Sequence, residues 1–206
     1  MKFLPLIFLV GVSAAQAQDV GVVDRVSGEV TFSAAGAKAG KVKPYMKVRA
    51  GDRFQVAAGA QVRVLYFEGA RQERWAGPAG FRAAKQGGEA LSGAPAEVAA
   101  LPAGVPQRIA RVPELVRHAQ LGGVQLRSGS AQVGKPGGQA GLNEARATYD
   151  SLRASRLAKD DITPELYLYA VLSEHGLRDE MNRVAREMRR RQPDNEEVKW
   201  LAKELR

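Results

Sequence analysis

The spacing of apolar residues changes period partway along this chain, and that change constrains the fold more than any other feature. In Val22-Val23-Asp24-Arg25-Val26-Ser27-Gly28-Glu29-Val30-Thr31-Phe32, Val22, Val26, Val30 and Phe32 share one parity. Arg25, Ser27, Glu29 and Thr31 share the other. A period of two belongs to a strand with one buried face. From Leu142 the pattern becomes helical: Leu142, Ala145, Tyr149, Leu152 and Arg156, then Leu166, Tyr169, Ala170 and Leu172, then Met181, Val184, Ala185 and Met188. The chain is therefore expected to be α+β in two parts, a small all-β unit followed by a helical one.

Glycines mark the turns of the first part. Gly28 breaks the opening strand, and Gly51-Asp52 turns the chain into Arg53-Phe54-Gln55-Val56. Gly59 turns it again into Gln61-Val62-Arg63-Val64-Leu65-Tyr66-Phe67. Glu68-Gly69 is expected to form a two-residue hairpin turn, because Gly accepts the positive φ such turns need. Arg71 to Trp75 is the returning strand, stopped at Gly77-Pro78. Short strands punctuated this closely make a compact β unit over residues 20–83.

The order of these pieces resembles the FecR domain. Gly21-Val22-Val23…Val26-Ser27-Gly28-Glu29-Val30, the Gly51-Asp52 turn, and Phe67-Glu68-Gly69-Ala70-Arg71 follow that family's succession, with Glu68-Gly69-Ala70 where Asp-Gly-Ser is usual. The resemblance implies a periplasmic sensing or protein-contact domain. The family's founding members relay a signal toward a cytoplasmic sigma factor through a membrane helix and a cytoplasmic tail; the short leader here predicts no such direct contact.

Residues 84–141 turn to Ala, Gly, Pro and Ser and read as a connector or extended wrap. Within it, 113–120 is expected to form a short helix and 124–127 a strand, before the Gly-rich run 128–141. Residues 142–206 form the helical part. Thr163-Pro164 suits a helix start, with Thr163 as N-cap, and Gly176 and Pro193 follow two helix ends. The unit 162–195 resembles a tetratricopeptide repeat in its 34-residue length. Glu165, Tyr169 and Met181 depart from that pattern, which predicts looser helix packing, with 142–159 and 196–206 as stacking neighbours.

Lys2, an apolar run at 3–12, and Ser13-Ala14-Ala15-Gln16-Ala17 have the order of a secretory leader cleaved after Ala17, segment 1–17. The run is about half of the roughly 20 residues that a membrane anchor needs. The mature chain is expected to be periplasmic and to lack a transmembrane segment. With no cysteine, it must fold on core burial alone.

Residues 18–141 carry 17 lysines and arginines against 9 carboxylates; 142–206 carry 13 of each. Export removes nucleic acid as the partner of that basic half, leaving anionic polymers, phosphate headgroups or acidic proteins. Lys38, Lys41, Lys43, Lys47, Arg49 and Arg53 concentrate the charge, opposed locally by Asp52 alone. They form either a solvated loop or an anion-facing patch. Tyr167 and Tyr169 are candidates to line a helical groove, against the alternative of core packing.

Catalytic chemistry has little to stand on. His118 and His175 lie in separate segments, with no metal-ligand spacing around either. Asp160-Asp161 and Asp179-Glu180 sit where they complement helix starts. The expectation is a protein that is not an enzyme, uses no cofactor and binds no metal. It would act as a scaffold or adaptor contacting envelope proteins, or else bind an anionic cell-wall or surface polysaccharide through the basic β face.

Overall fold

A computed structural model describes residues 18–34, 37–120, 138–155 and 157–204. The leader 1–17, the expected strand at 124–127, most of the Gly-rich run (128–137) and Arg156 lie outside the described residues. The described residues form two five-stranded antiparallel sheets and six helices, a mixed α+β fold.

The strands are β1 Asp19–Ser27, β2 Val30–Ser33, β3 Gly40–Lys41, β4 Lys47–Arg49, β5 Arg53–Val56, β6 Gln61–Tyr66, β7 Arg71–Ala76, β8 Ala79–Ala83, β9 Gly88–Gly93 and β10 Glu97–Ala100. The first sheet has the order β10-β7-β6-β1-β4 and the second β3-β2-β5-β8-β9. They face each other over a core that includes Val23, Phe54, Val64, Tyr66, Trp75 and Phe81. Phe81 stacks between Phe54 and Trp75 at centroid distances of 4.7 and 4.4 Å. The buried Glu73 carboxylate accepts from Trp75 Nε1 at 3.1 Å and Gly88 N at 2.9 Å, tying the start of β9 to β7.

The opening strand is not buried on one side only. Val22 and Val23 are both fully buried, and they enter different cores. Val23 faces the second sheet. Val22, with Leu65 of β6, faces a layer of helices that covers the other side of the first sheet. A helix layer on that face removes the solvent that the alternating pattern required. The result is three layers: sheet, sheet, helices.

That layer contains α1 Val105–Ile109, α2 Val112–Gln120, α3 Gly138–Ala154, α4 Thr163–Glu174, α5 Arg178–Arg191 and α6 Glu196–Glu204. Helix α4 packs on α3, α5 and α1, while α6 packs on α5 and α2. Enclosed in this way, α4 buries every residue from Thr163 to Leu172. None of these helices is long and apolar enough to cross a membrane.

Three local expectations change. The connector beginning at residue 84 supplies an edge strand to each sheet, β9 and β10, and then α1. Its small residues disguised it: beyond Gly88, every β9 residue is exposed, so no inward apolar rhythm exists to be read. The Gly-rich run also ends earlier than expected, since residues 138–141 already belong to α3.

At the β6–β7 hairpin, Tyr66 pairs with Arg71, leaving a four-residue loop. Its positive φ, 42°, falls on Ala70 and not on Gly69. Gly69 is required for another reason, because a Cβ there would lie 2.0 Å from the Gln86 carbonyl oxygen. Gly69→Ala is expected to lower stability by more than about 1 kcal/mol in urea unfolding; an unchanged midpoint would show that the 85–87 turn yields freely. By contrast Gly28, Gly51, Gly59 and Gly176 take positive φ at their turns as expected, and Pro193 follows the end of α5.

The third change is at the start of α4. Thr163 is the first helical residue, not the cap, and its side chain does not cap. Asp161 Oδ1 instead accepts from Thr163 N at 2.8 Å, while Thr163 Oγ1 accepts from Gln72 Nε2 at 3.0 Å. The hydroxyl is thus used to dock the helix onto β7.

Candidate functional site

Residues 41–49 alternate in burial. Val42, Tyr45 and Val48 point inward, whereas Lys41, Lys43 and Arg49 are exposed. Backbone bonds fix this alternation: Val42 N to Val30 O at 2.9 Å, Tyr45 N to Val23 O at 2.7 Å, and Val23 N to Met46 O at 2.9 Å. Tyr45 has φ 57°, and its ring enters the core shared with the helices, where Asn195 Nδ2 donates to its hydroxyl at 3.3 Å. Burial holds the Tyr45 phenol well above its ordinary range. A loop anchored in this way must present its lysines outward.

They border a groove of about 590 Å³ between the sheets and α2. Lys41, Lys43, Lys47 and Arg49 line it, and Arg117 of α2 joins them. Lys38 and Arg53, the other two expected cations, are not part of this lining; both are exposed, and Arg53 lies on β5 opposite Arg82. Phe32, Pro44, Met46 and Pro113 supply half-buried apolar surface between the charges.

The five cations are not equivalent. Lys47 pairs with Asp19 at 3.0 Å and reaches Glu114 at 3.7 Å; Arg49 reaches Asp19 at 3.5 Å. Among the described residues, Lys41, Lys43 and Arg117 have no carboxylate within ion-pair distance. Asp52 bends inward, accepting from Arg49 N at 2.9 Å, and burial raises its pKa. A second hollow of about 450 Å³ shares Lys41 and Lys43 but has Asp194, Glu196 and Glu197 in its lining. Glu197 also borders the first groove, where Lys43 acts to lower its pKa, so five cations there face the carboxylates of Asp52 and Glu197 and leave a positive excess.

Tyr167 and Tyr169 do not line a groove. They are 9% and 1% exposed, inside the helical core, because α4 is covered on all sides. His118 and His175 stand half-buried on α2 and just beyond α4. Among the described residues, no group of His, Asp and Glu is placed to hold a metal ion.

A second polar cluster lies between the first sheet and the helices. Arg63 Nε donates to Asp24 Oδ2 at 2.8 Å, and its Nη1 lies 3.4 Å from Asp161 and 3.7 Å from Asp160. Arg25 also reaches Asp160, at 3.1 Å, and Gln72 Nε2 donates to Asp161 Oδ2 at 2.9 Å. Asp160 and Asp161 thus do more than complement a helix start; they bind the helices to sheet cations. Burial, reinforced by Asp161, raises the Asp24 pKa to about 6 despite Arg63 beside it. Deep in the helices, Glu165 meets Arg153 at 3.1 Å and Arg191 at 3.4 Å, and Tyr149 Oη donates to it at 3.3 Å. Glu165 thus sits in an internal ion cluster, and burial raises its pKa.

Sequence reasoning missed Arg117, Asp24, Arg63 and Gln72. The burial of Val112, Val116 and Ala119 gives α2 one inner face that leaves Arg117 outside, a placement helical spacing alone could have found. Its approach to the 41–49 loop is a tertiary fact with no local signal. No family model matches this chain, nor does any curated protein or solved structure.

Proposed function

We propose that this chain is a non-catalytic interaction module of the cell envelope, built on a FecR-like β unit, exported by its first 17 residues, and receiving an anionic partner in the basic groove. The observation that carries this reading is the convergence of four cations from residues 41–49 with the sequence-distant Arg117 around one concave surface. Opposite charge focused in a concavity attracts and orients a partner. That partner is an acidic face of an envelope protein if the chain is an adaptor, or an anionic cell-wall or surface polysaccharide.

Retention on a carboxylated matrix tests the groove. The wild-type chain is expected to be retained at low salt and released as ionic strength approaches about 0.15 M, where the Debye length is roughly 8 Å. The double variant Lys41→Glu, Lys43→Glu should pass through unretained. Retention of that variant would move the site elsewhere. Fractionation should find the chain in the periplasm without residues 1–17; a full-length cytoplasmic product would overturn the export reading.

A further inference from the structure

We infer that the partner gripped between Lys41, Lys43 and Arg117 is a linear acidic polysaccharide. This rests on the anionic-partner reading and adds the class of partner. The first argument is the placement of the cations that have no carboxylate within ion-pair distance among the described residues, with Glu197 of the same lining near Lys43. Lys41 and Lys43 come from the loop side of the groove and Arg117 from α2, while Lys47 and Arg49 already face Asp19. Charges divided between two walls suit carboxylates repeated along a chain. A compact phosphate is held by clustered donors and bidentate arginine forks.

The second argument is what separates the charges. Phe32, Pro44, Met46 and Pro113 present apolar patches, which the C–H faces of sugar rings cover while ring carboxylates reach the cations. Sites for small molecules combine apolar walls with a few placed polar groups in this way.

The third argument weighs against an acidic peptide. An extended peptide gains most of its affinity by adding to a sheet edge. The edges beside this groove are β3, of two residues, and β4, of three. Arg49 N donates to Asp52 Oδ2 at 2.9 Å and Arg49 O accepts from Asp52 N at 3.1 Å, closing the end of β4. Strands average about five to six residues, and β3 and β4 are both shorter than that. Edges this short are the usual protection against strand addition.

Calorimetric titration of the mature full-length chain with oligogalacturonate and with oligoglutamate of matched carboxylate number tests the assignment. Oligogalacturonate is expected to bind at least roughly tenfold more tightly, a difference of about 1.4 kcal/mol. Its affinity should fall by roughly tenfold in Arg117→Glu and again in Lys43→Glu, and stay unchanged in Arg189→Glu, on the exposed side of α5. Circular dichroism identical to wild type would show that the variants fold. Equal or tighter binding of oligoglutamate overturns the polysaccharide assignment and leaves the anionic groove standing. Indifference to Arg117→Glu overturns the two-walled grip. If neither polymer binds, the groove reading fails as well.

Discussion

Replacing Arg63 by Met will cost the fold about 3–5 kcal/mol at neutral pH, the usual effect of removing one partner from a buried ion cluster. Arg63 is 5% exposed, and its guanidinium is the common partner of Asp24, Asp160 and Asp161. Asp24 and Asp161 are 0% and 1% exposed, so neither can recover water when the cation goes. Asp24 belongs to β1, Arg63 to β6, and Asp161 to the segment leading into α4. The loss therefore falls on the seam between sheet and helices. Urea unfolding at pH 7.5 checks it; a midpoint within error of wild type would mean that the cluster contributes nothing net. At pH 5 the deficit should shrink, because Asp24 can then take up a proton instead of standing as an unpaired anion.

The second large effect is a stability that declines toward neutrality. Folded Asp24 holds its proton up to about pH 6, against 3.8 for the unperturbed group. The native state thus binds more protons in that interval. Its contribution is full below 3.8 and is lost as pH rises through about 6. About two pKa units correspond to about 3 kcal/mol. Asp161 helps to hold the proton on; Arg63 and Arg25 oppose it, and burial outweighs both arginines. Burial also raises Asp52, Glu165 and Glu197, so their contributions run in the same direction. Urea midpoints should be higher at pH 5 than at pH 7.5, and Asp24→Asn should flatten the difference. A midpoint that climbs from pH 5 to 7.5 would show Asp24 to be an ionised, net-stabilised partner of Arg63.

Turns and helix ends were legible in the sequence because their causes are local. Gly28, Gly51, Gly59 and Gly176 each need a backbone region that side chains disfavour, and Pro193 cannot continue a helix. The strands β9 and β10 were not legible, since edge strands with little to bury carry no apolar rhythm. One-sided burial of β1 was misread for a different reason. Whether Val22 meets water or helices depends on helical residues more than eighty positions away. The candidate site divides in the same way. Its loop cations stand together in the sequence, whereas Arg117 reaches them only through the packing of α2 against α6. The tyrosines failed as groove residues because α4 is the central helix of its layer and not an outer one.

The placement of the first sheet between two layers governs how the chain can be divided. A fragment ending at residue 83 would leave Val22 and Leu65 bare and would lack β9 and β10. A fragment beginning at 142 would lose α1 and α2 and expose the carboxylate of Asp161 without its guanidinium. Both cuts would fall across contacts between sheet and helices. The core that holds Val22 and Leu65 is built from strands and helices together.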